Sequence, residues 1–137
     1  MWRDMERQCA ALGLPLQRPD PFPQASVLAA RISILVAHEP VGPAFCRCIF
    51  SAEFGEGRNI SNPQVLGTLL EDVGLPTNLL VHAGAEETKQ ALRTQGQTAV
   101  GMGLFGAPSF VVDEQLFWGD DRLEQALNWA TNQTNSF

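Results

Sequence analysis

The chain has no lysine- or arginine-rich block, no apolar run long enough to cross a bilayer, and too few cysteines for a disulfide framework. Of its 137 residues, 9 are Lys or Arg and 15 are Asp or Glu, giving a formal net charge of −6. That balance argues against nucleic acid or an anionic membrane surface as a partner. The richest apolar stretch, Val27 to Ala37, is interrupted by Arg31 and Ser33 and falls short of the roughly 18 residues a spanning helix needs. The opening Met1-Trp2-Arg3-Asp4-Met5-Glu6-Arg7 is too charged for a secretory leader. The three cysteines are odd in number and two of them, Cys46 and Cys48, are two apart, which does not suit a disulfide scaffold. On a helix, residues two apart point roughly 200° away from each other, so these thiols are expected to be free and buried. No Cys-x-x-Cys or His-x-x-x-His accompanies His38 and His82, so no metal site is expected. Walker, Gly-x-Ser-x-Gly and dinucleotide-binding signatures are missing too. A cytoplasmic, non-membrane protein is the expectation.

What is present reads as helix for most of the length. Trp2, Met5, Cys9 and Leu12 recur at helical spacing and predict an amphipathic helix stopped by Gly13. Pro15, Pro19, Pro21 and Pro23 then force an extended connector. Ser26 is a candidate N-cap for a buried helix from Val27 to His38, which Glu39-Pro40-Val41-Gly42-Pro43 breaks. Ala44 to Phe54 predicts a third helix, with Phe45, Ile49 and Cys48 or Ala52 on one face. Asn62-Pro63 opens a fourth, carrying Val65, Leu66, Leu69, Leu70 and Val73. A short helix from Thr77 to His82 and a longer one from Glu86 to Gly101 follow. Thr131 to Phe137 reads as a frayed tail.

Strand character begins at one place. In Gly106-Ala107-Pro108-Ser109-Phe110-Val111-Val112, Gly106 can take angles other residues avoid, and Ala107 is pushed to an extended conformation by the proline after it. A turn at Asp113-Glu114, a second strand and a helix opened by Asp120 and Asp121 complete the stretch. Ala107-Pro108 reads either as a strand-initiating proline or as an exposed backbone edge able to pair with a peptide-like ligand. Asp121 through Glu124 makes a capping box, while two acids at a helix N-terminus also suit a ligand ammonium. Gly101-Met102-Gly103 with Gly106 precedes a strand instead of a helix, which does not support phosphate binding. Two strands alone are marginal, and a sheet of thioredoxin type needs a further β-α-β unit of roughly 30 residues.

Leu104-Phe105-Gly106-Ala107-Pro108-Ser109-Phe110-Val111-Val112 and Phe117-Trp118-Gly119-Asp120-Asp121-Arg122-Leu123, together with Trp2-Arg3-Asp4 and Phe22-Pro23, resemble the 2-hydroxychromene-2-carboxylate isomerase family. The resemblance implies a thioredoxin-like α/β fold of the DsbA and kappa-class glutathione transferase type. In this chain it would comprise a helical insert over 1–103 and the C-terminal half of the thioredoxin-like domain over 104–137. It further implies a cis Pro108 and a glutathione site. There the Ala107 backbone pairs with the cysteinyl unit, while Asp120 and Asp121 hold the γ-glutamyl group. Arg122 either anchors that group's carboxylate or supports the loop. The implied activity is glutathione-dependent cis/trans isomerisation of a small aromatic 2-oxo or 2-hydroxy carboxylate, or a related glutathione transfer, by a homodimer. The thiolate adds reversibly to the conjugated system and frees a double bond to rotate.

The family's polar side chain two residues after Phe-Pro is replaced by Ala25. Its serine beside the glutathione sulfur belongs to an N-terminal β-α-β segment that these residues are expected to lack. Ser26, Ser33 and Ser51 do not match that serine, so no catalytic residue is assigned. Two alternatives stand beside this reading: a non-catalytic, dimer-forming paralogue, and a DsbA-like thiol-disulfide oxidoreductase.

Overall fold

The computed structural model describes residues 1–134, with side chains through Asn132. Two compact units emerge, Met1–Leu92 and Arg93–Phe137, and the division falls inside a helix.

In the first unit, α1 spans Trp2–Leu12 and ends at Gly13, which takes a left-handed φ of +67°. The Gly13 and Leu14 amides donate to the carbonyls of Ala10 and Cys9, closing the helix end. The expected apolar stripe does not enter a core. Trp2 packs edge-on against Phe22 at 5.0 Å and carries the Arg18 guanidinium over its ring. Met5 and Leu12 stay exposed. The proline-rich connector holds neither helix nor strand, bends over residues 20–23 with cis bonds before Pro21 and Pro23, and is tied to later residues by two hydrogen bonds. Gln17 N–H donates to the Phe54 carbonyl at 2.6 Å, and the buried Gln24 side chain accepts from the Ile60 amide at 2.9 Å.

Helix α2 covers Val27–Leu35, shorter than expected, and Ser26 sits at its N-cap without a side-chain bond. Ala29 and Ile32 are buried while Val27 remains half exposed, so this helix is not buried on all sides. Helix α3, Gly42–Phe50, runs directly into a π-helical turn over Ser51–Gly55. Such a turn inserts an extra residue per helical repeat, and no periodicity in the sequence signalled it. Helix α4, Pro63–Asp72, begins as predicted: Asn62 Oδ1 accepts the Gln64 amide at 2.9 Å. Helix α5 is Leu79–His82, and α6 is Glu86–Gly101, the span expected from the sequence. The core joins Ile32, Phe45, Ile60, Leu66 and Leu70, all essentially without solvent contact. Each such side chain contributes about 1.5–3 kcal/mol by leaving water. The three cysteines are free and half-buried, with Cys48 packed against this core.

The second unit holds the chain's described strands. Strands β1 (Ser109–Val112) and β2 (Gln115–Trp118) pair antiparallel, with Ser109 opposite Trp118 and Val112 opposite Gln115. Asp113 and Glu114 make the two-residue turn, both at positive φ, which matches the twist of a tight hairpin. A 3₁₀ turn over Asp120–Arg122 leads into α7, Leu123–Thr134. Helix α7 covers the sheet, burying Ala126 and setting Trp129 6.4 Å from Phe117. That cover is what a two-stranded hairpin requires. The tail expected to fray from Thr131 is helical as far as Thr134, and residues 135–137 lie outside the described residues. No helix among the described residues is long and apolar enough to cross a membrane.

Candidate functional site

Ala107 and Pro108 stand at the entry to β1, and the peptide bond between them is cis. Both residues are exposed. No hydrogen bond among the described residues uses the Ala107 N–H or C=O, so both groups are free for an extended ligand. The residues on either side are held. Ser109 Oγ donates to the Gly106 carbonyl at 2.6 Å, and the Pro108 carbonyl accepts the Gly119 amide at 3.0 Å.

Gly106 is required for a reason the sequence did not reveal. Its φ is not positive, contrary to the expectation of an unusual backbone angle. The cause is crowding: a Cβ at this position would lie 2.5 Å from Trp118 Nε1. The Phe105 ring packs against the same indole, with centroids 4.9 Å apart. Trp118 and Phe105 were therefore missed as parts of the site. The available signal was the placement of two aromatics on either side of a glycine-led strand pair.

Gly119 links the hairpin to the acidic turn. Its φ of +116° and ψ of 152° belong to a region open essentially to glycine. Beyond it, Asp120, Asp121 and Arg122 form the 3₁₀ turn. The capping box is not formed. No side-chain bond caps the turn, and the two aspartate carboxylates accept no hydrogen bond among the described residues. The Asp121 carboxylate instead lies 3.9 Å from Arg122 Nε, with both side chains largely exposed. Arg122 Nη1 also reaches Gln125 Oε1 at 3.5 Å. An exposed pair of this kind adds little stability, so both aspartates keep acceptor capacity for a ligand ammonium. All five residues singled out in the sequence, Ala107, Pro108, Asp120, Asp121 and Arg122, thus fall in one hairpin-and-turn unit joined through Gly119.

The first unit carries polar features of its own. Ala25, at the position where a polar side chain was expected from the resemblance, is exposed, and its neighbour Gln24 is the buried polar residue of that loop. Glu53, in the π-helical turn, is 8% exposed. Its carboxyl is pushed above the ordinary range by desolvation on burial.

The model of the DSBA-like thioredoxin domain family matches residues 1–128. The chain is 33% identical over 129 residues to 2-hydroxychromene-2-carboxylate isomerase of Sphingobium xenophagum. That match takes in 90% of this chain and 63% of the relative. A solved structure of 2-hydroxychromene-2-carboxylate isomerase superposes with a TM-score of 0.79 at 22% identity. The superposition covers 96% of this chain and 66% of that one. The chain therefore spans somewhat under two thirds of the length of both relatives, and its fold is of the DsbA-like thioredoxin type.

Proposed function

Since the chain belongs to the DsbA-like thioredoxin domain family, we propose that it binds glutathione. We further propose that it serves a cis/trans isomerase acting on 2-hydroxychromene-2-carboxylate or a closely related aromatic 2-oxo or 2-hydroxy acid. A related glutathione transfer belongs to the same reading. The observation that carries it is the unused Ala107 N–H and C=O pair ahead of cis-Pro108. A peptide-like ligand can add to such an edge as a strand would. Glutathione is a peptide with a carboxylate and an ammonium at its γ-glutamyl end. The amide hydrogen bond from Gly119 to Pro108 keeps Asp120 and Asp121 on the turn that follows directly from β2. Their carboxylates suit the ammonium, and Arg122 suits the carboxylate.

Within this reading, Ala107 supplies the backbone pairing and Pro108 sets the edge. Asp120 and Asp121 orient the γ-glutamyl end. Glutathione bound there supplies a thiol able to add reversibly to a conjugated double bond. The residues described here bind and orient, and none is assigned a catalytic role. A homodimer is part of the proposal, because a two-stranded sheet leaves outer edges for pairing.

Titration calorimetry with glutathione, combined with an absorbance assay of chromene-carboxylate isomerisation, tests it. Saturable binding of glutathione is the expected result. Absence of heat with glutathione, while the chain stays folded by circular dichroism, would remove the reading.

A further inference from the structure

Trp118 occupies an unusual place for a large apolar side chain. It ends β2 directly opposite Ser109, yet it is 53% exposed, and its ring neighbour Phe105 is 69% exposed. Neither serves a core. The pyrrole edge of the indole lies against Gly106 so closely that a Cβ there would sit 2.5, 3.1 and 3.2 Å from Nε1, Cε2 and Cδ1. The Phe105 ring meets the same indole at 57°, a tilted geometry aromatic pairs favour. Residues 105 and 106 therefore grip one side chain, and the amide that follows Gly106 is the unpartnered N–H of Ala107.

We propose that Trp118 is the positioning residue for the ligand-binding backbone of Ala107, acting through Gly106; this rests on the glutathione reading above. Residues 104–108 lie outside helix and strand, and Gly103 just before them has a φ of +82°. The hydrogen bonds that the Gly106 and Pro108 carbonyls accept, from Ser109 Oγ and the Gly119 amide, pin the segment at two points. Neither bond uses the Ala107 groups themselves. The 106–107 peptide is held through its carbonyl by Ser109 Oγ, and the indole against the Gly106 Cα is the lateral support that limits its remaining freedom. A peptide edge already ordered before its ligand arrives binds more tightly, because less freedom is lost on association.

The test compares wild type, Trp118→Ala, Trp118→Phe, Gly106→Ala and the Gly106→Ala/Trp118→Ala double variant. Two readouts are taken: ¹⁵N relaxation at Ala107 in the free protein, and the glutathione dissociation constant by calorimetry. Wild type is expected to show a rigid Ala107 amide, with an order parameter of about 0.85, and Trp118→Ala a value below about 0.6. Trp118→Ala is expected to bind glutathione about tenfold more weakly, the upper end of what a lost aromatic contact carries. Trp118→Phe should recover most of both. Gly106→Ala should shift the Ala107 resonance strongly with the indole present and hardly at all in the Trp118→Ala background.

An unchanged Ala107 order parameter in Trp118→Ala overturns the inference. So does an equal effect of Gly106→Ala in the two backgrounds. If wild type binds no glutathione, the functional reading falls, while the relaxation data and the 106/118 cycle still decide the positioning role. Should Trp118→Ala not fold, Gly106→Ala carries the comparison with Trp118→Phe as the order-retaining control, and an Ala107 amide as ordered in Gly106→Ala as in wild type would overturn the inference.

Discussion

The Gly119 amide donates to the Pro108 carbonyl at 3.0 Å, so the residue just before β1 is bonded to the residue just after β2. This bond joins the two halves of the candidate site. Gly119 can make it only with φ near +116° and ψ near 152°. A Cβ there would also meet Asp121 Oδ1 at 2.5 Å. Gly119→Ala is therefore expected to cost about 1–3 kcal/mol of stability, the scale of a residue forced into a glycine-only region. It should also displace Asp121. Chemical denaturation and glutathione calorimetry on the same variant measure both effects. A variant as stable as wild type would mean that the turn relaxes without strain.

Asp121→Ala separates binding from folding. The Asp121 side chain is 79% exposed and its ion pair with Arg122 is long. Stability is expected to change by no more than roughly 0.5 kcal/mol, as for most surface replacements. Loss of a hydrogen bond to a charged group is worth roughly 1.5–3 kcal/mol, so glutathione binding should fall about ten- to hundredfold. An unchanged calorimetric affinity would show that Asp121 does not face the ligand.

The hairpin turn can be improved. Asp113 and Glu114 take φ of 47° and 63°, a left-handed conformation that aspartate tolerates and glutamate does not favour. Glu114→Gly is expected to raise stability by up to about 1 kcal/mol, because the strain removed exceeds the freedom glycine adds to the unfolded chain. Thermal unfolding checks this, and a lower midpoint than wild type would refute the turn assignment.

Glu53 introduces a pH dependence. Burial raises its pKa in the folded state, so the folded chain holds this proton at a pH where the unfolded chain has released it. Stability therefore falls as pH rises from the ordinary glutamate value through the raised one, and the loss is complete above it. Glu53→Gln removes the charge and keeps the shape. It is expected to be more stable than wild type near pH 7, with the advantage gone below the ordinary glutamate pKa. A pH-independent difference between the two would rule out the buried carboxyl as the cause.

Helices α1, α4 and α6 were legible because their signals are local. Gly13, Asn62-Pro63 and the polar-faced run from Glu86 to Gly101 specify these helices through backbone sterics, capping and local propensity. The hairpin was legible for the same reason, since a short apolar run, a two-residue turn and a leading proline act within ten residues. The cis Ala107–Pro108 bond was expected from the family resemblance rather than from local sterics. The π-helical turn over Ser51–Gly55 and the burial of Glu53 had no such local mark. The aspartates illustrate a competition: their spacing permits a capping box, but the glycine geometry at residue 119 and the Arg122 contact drew them elsewhere.

By itself, then, the sequence determined where α1, α4 and α6 begin and end, where the described hairpin lies, and that Ala107, Pro108, Asp120, Asp121 and Arg122 share the hairpin and the turn after it. Those outcomes follow from bonds and sterics between near neighbours. The tertiary structure alone decided why residue 106 must be glycine, because that depends on an indole twelve positions away brought into contact by strand pairing. It alone also decided that the Ala107 groups are left unpaired, since a free hydrogen-bonding group is defined by every neighbour that does not reach it.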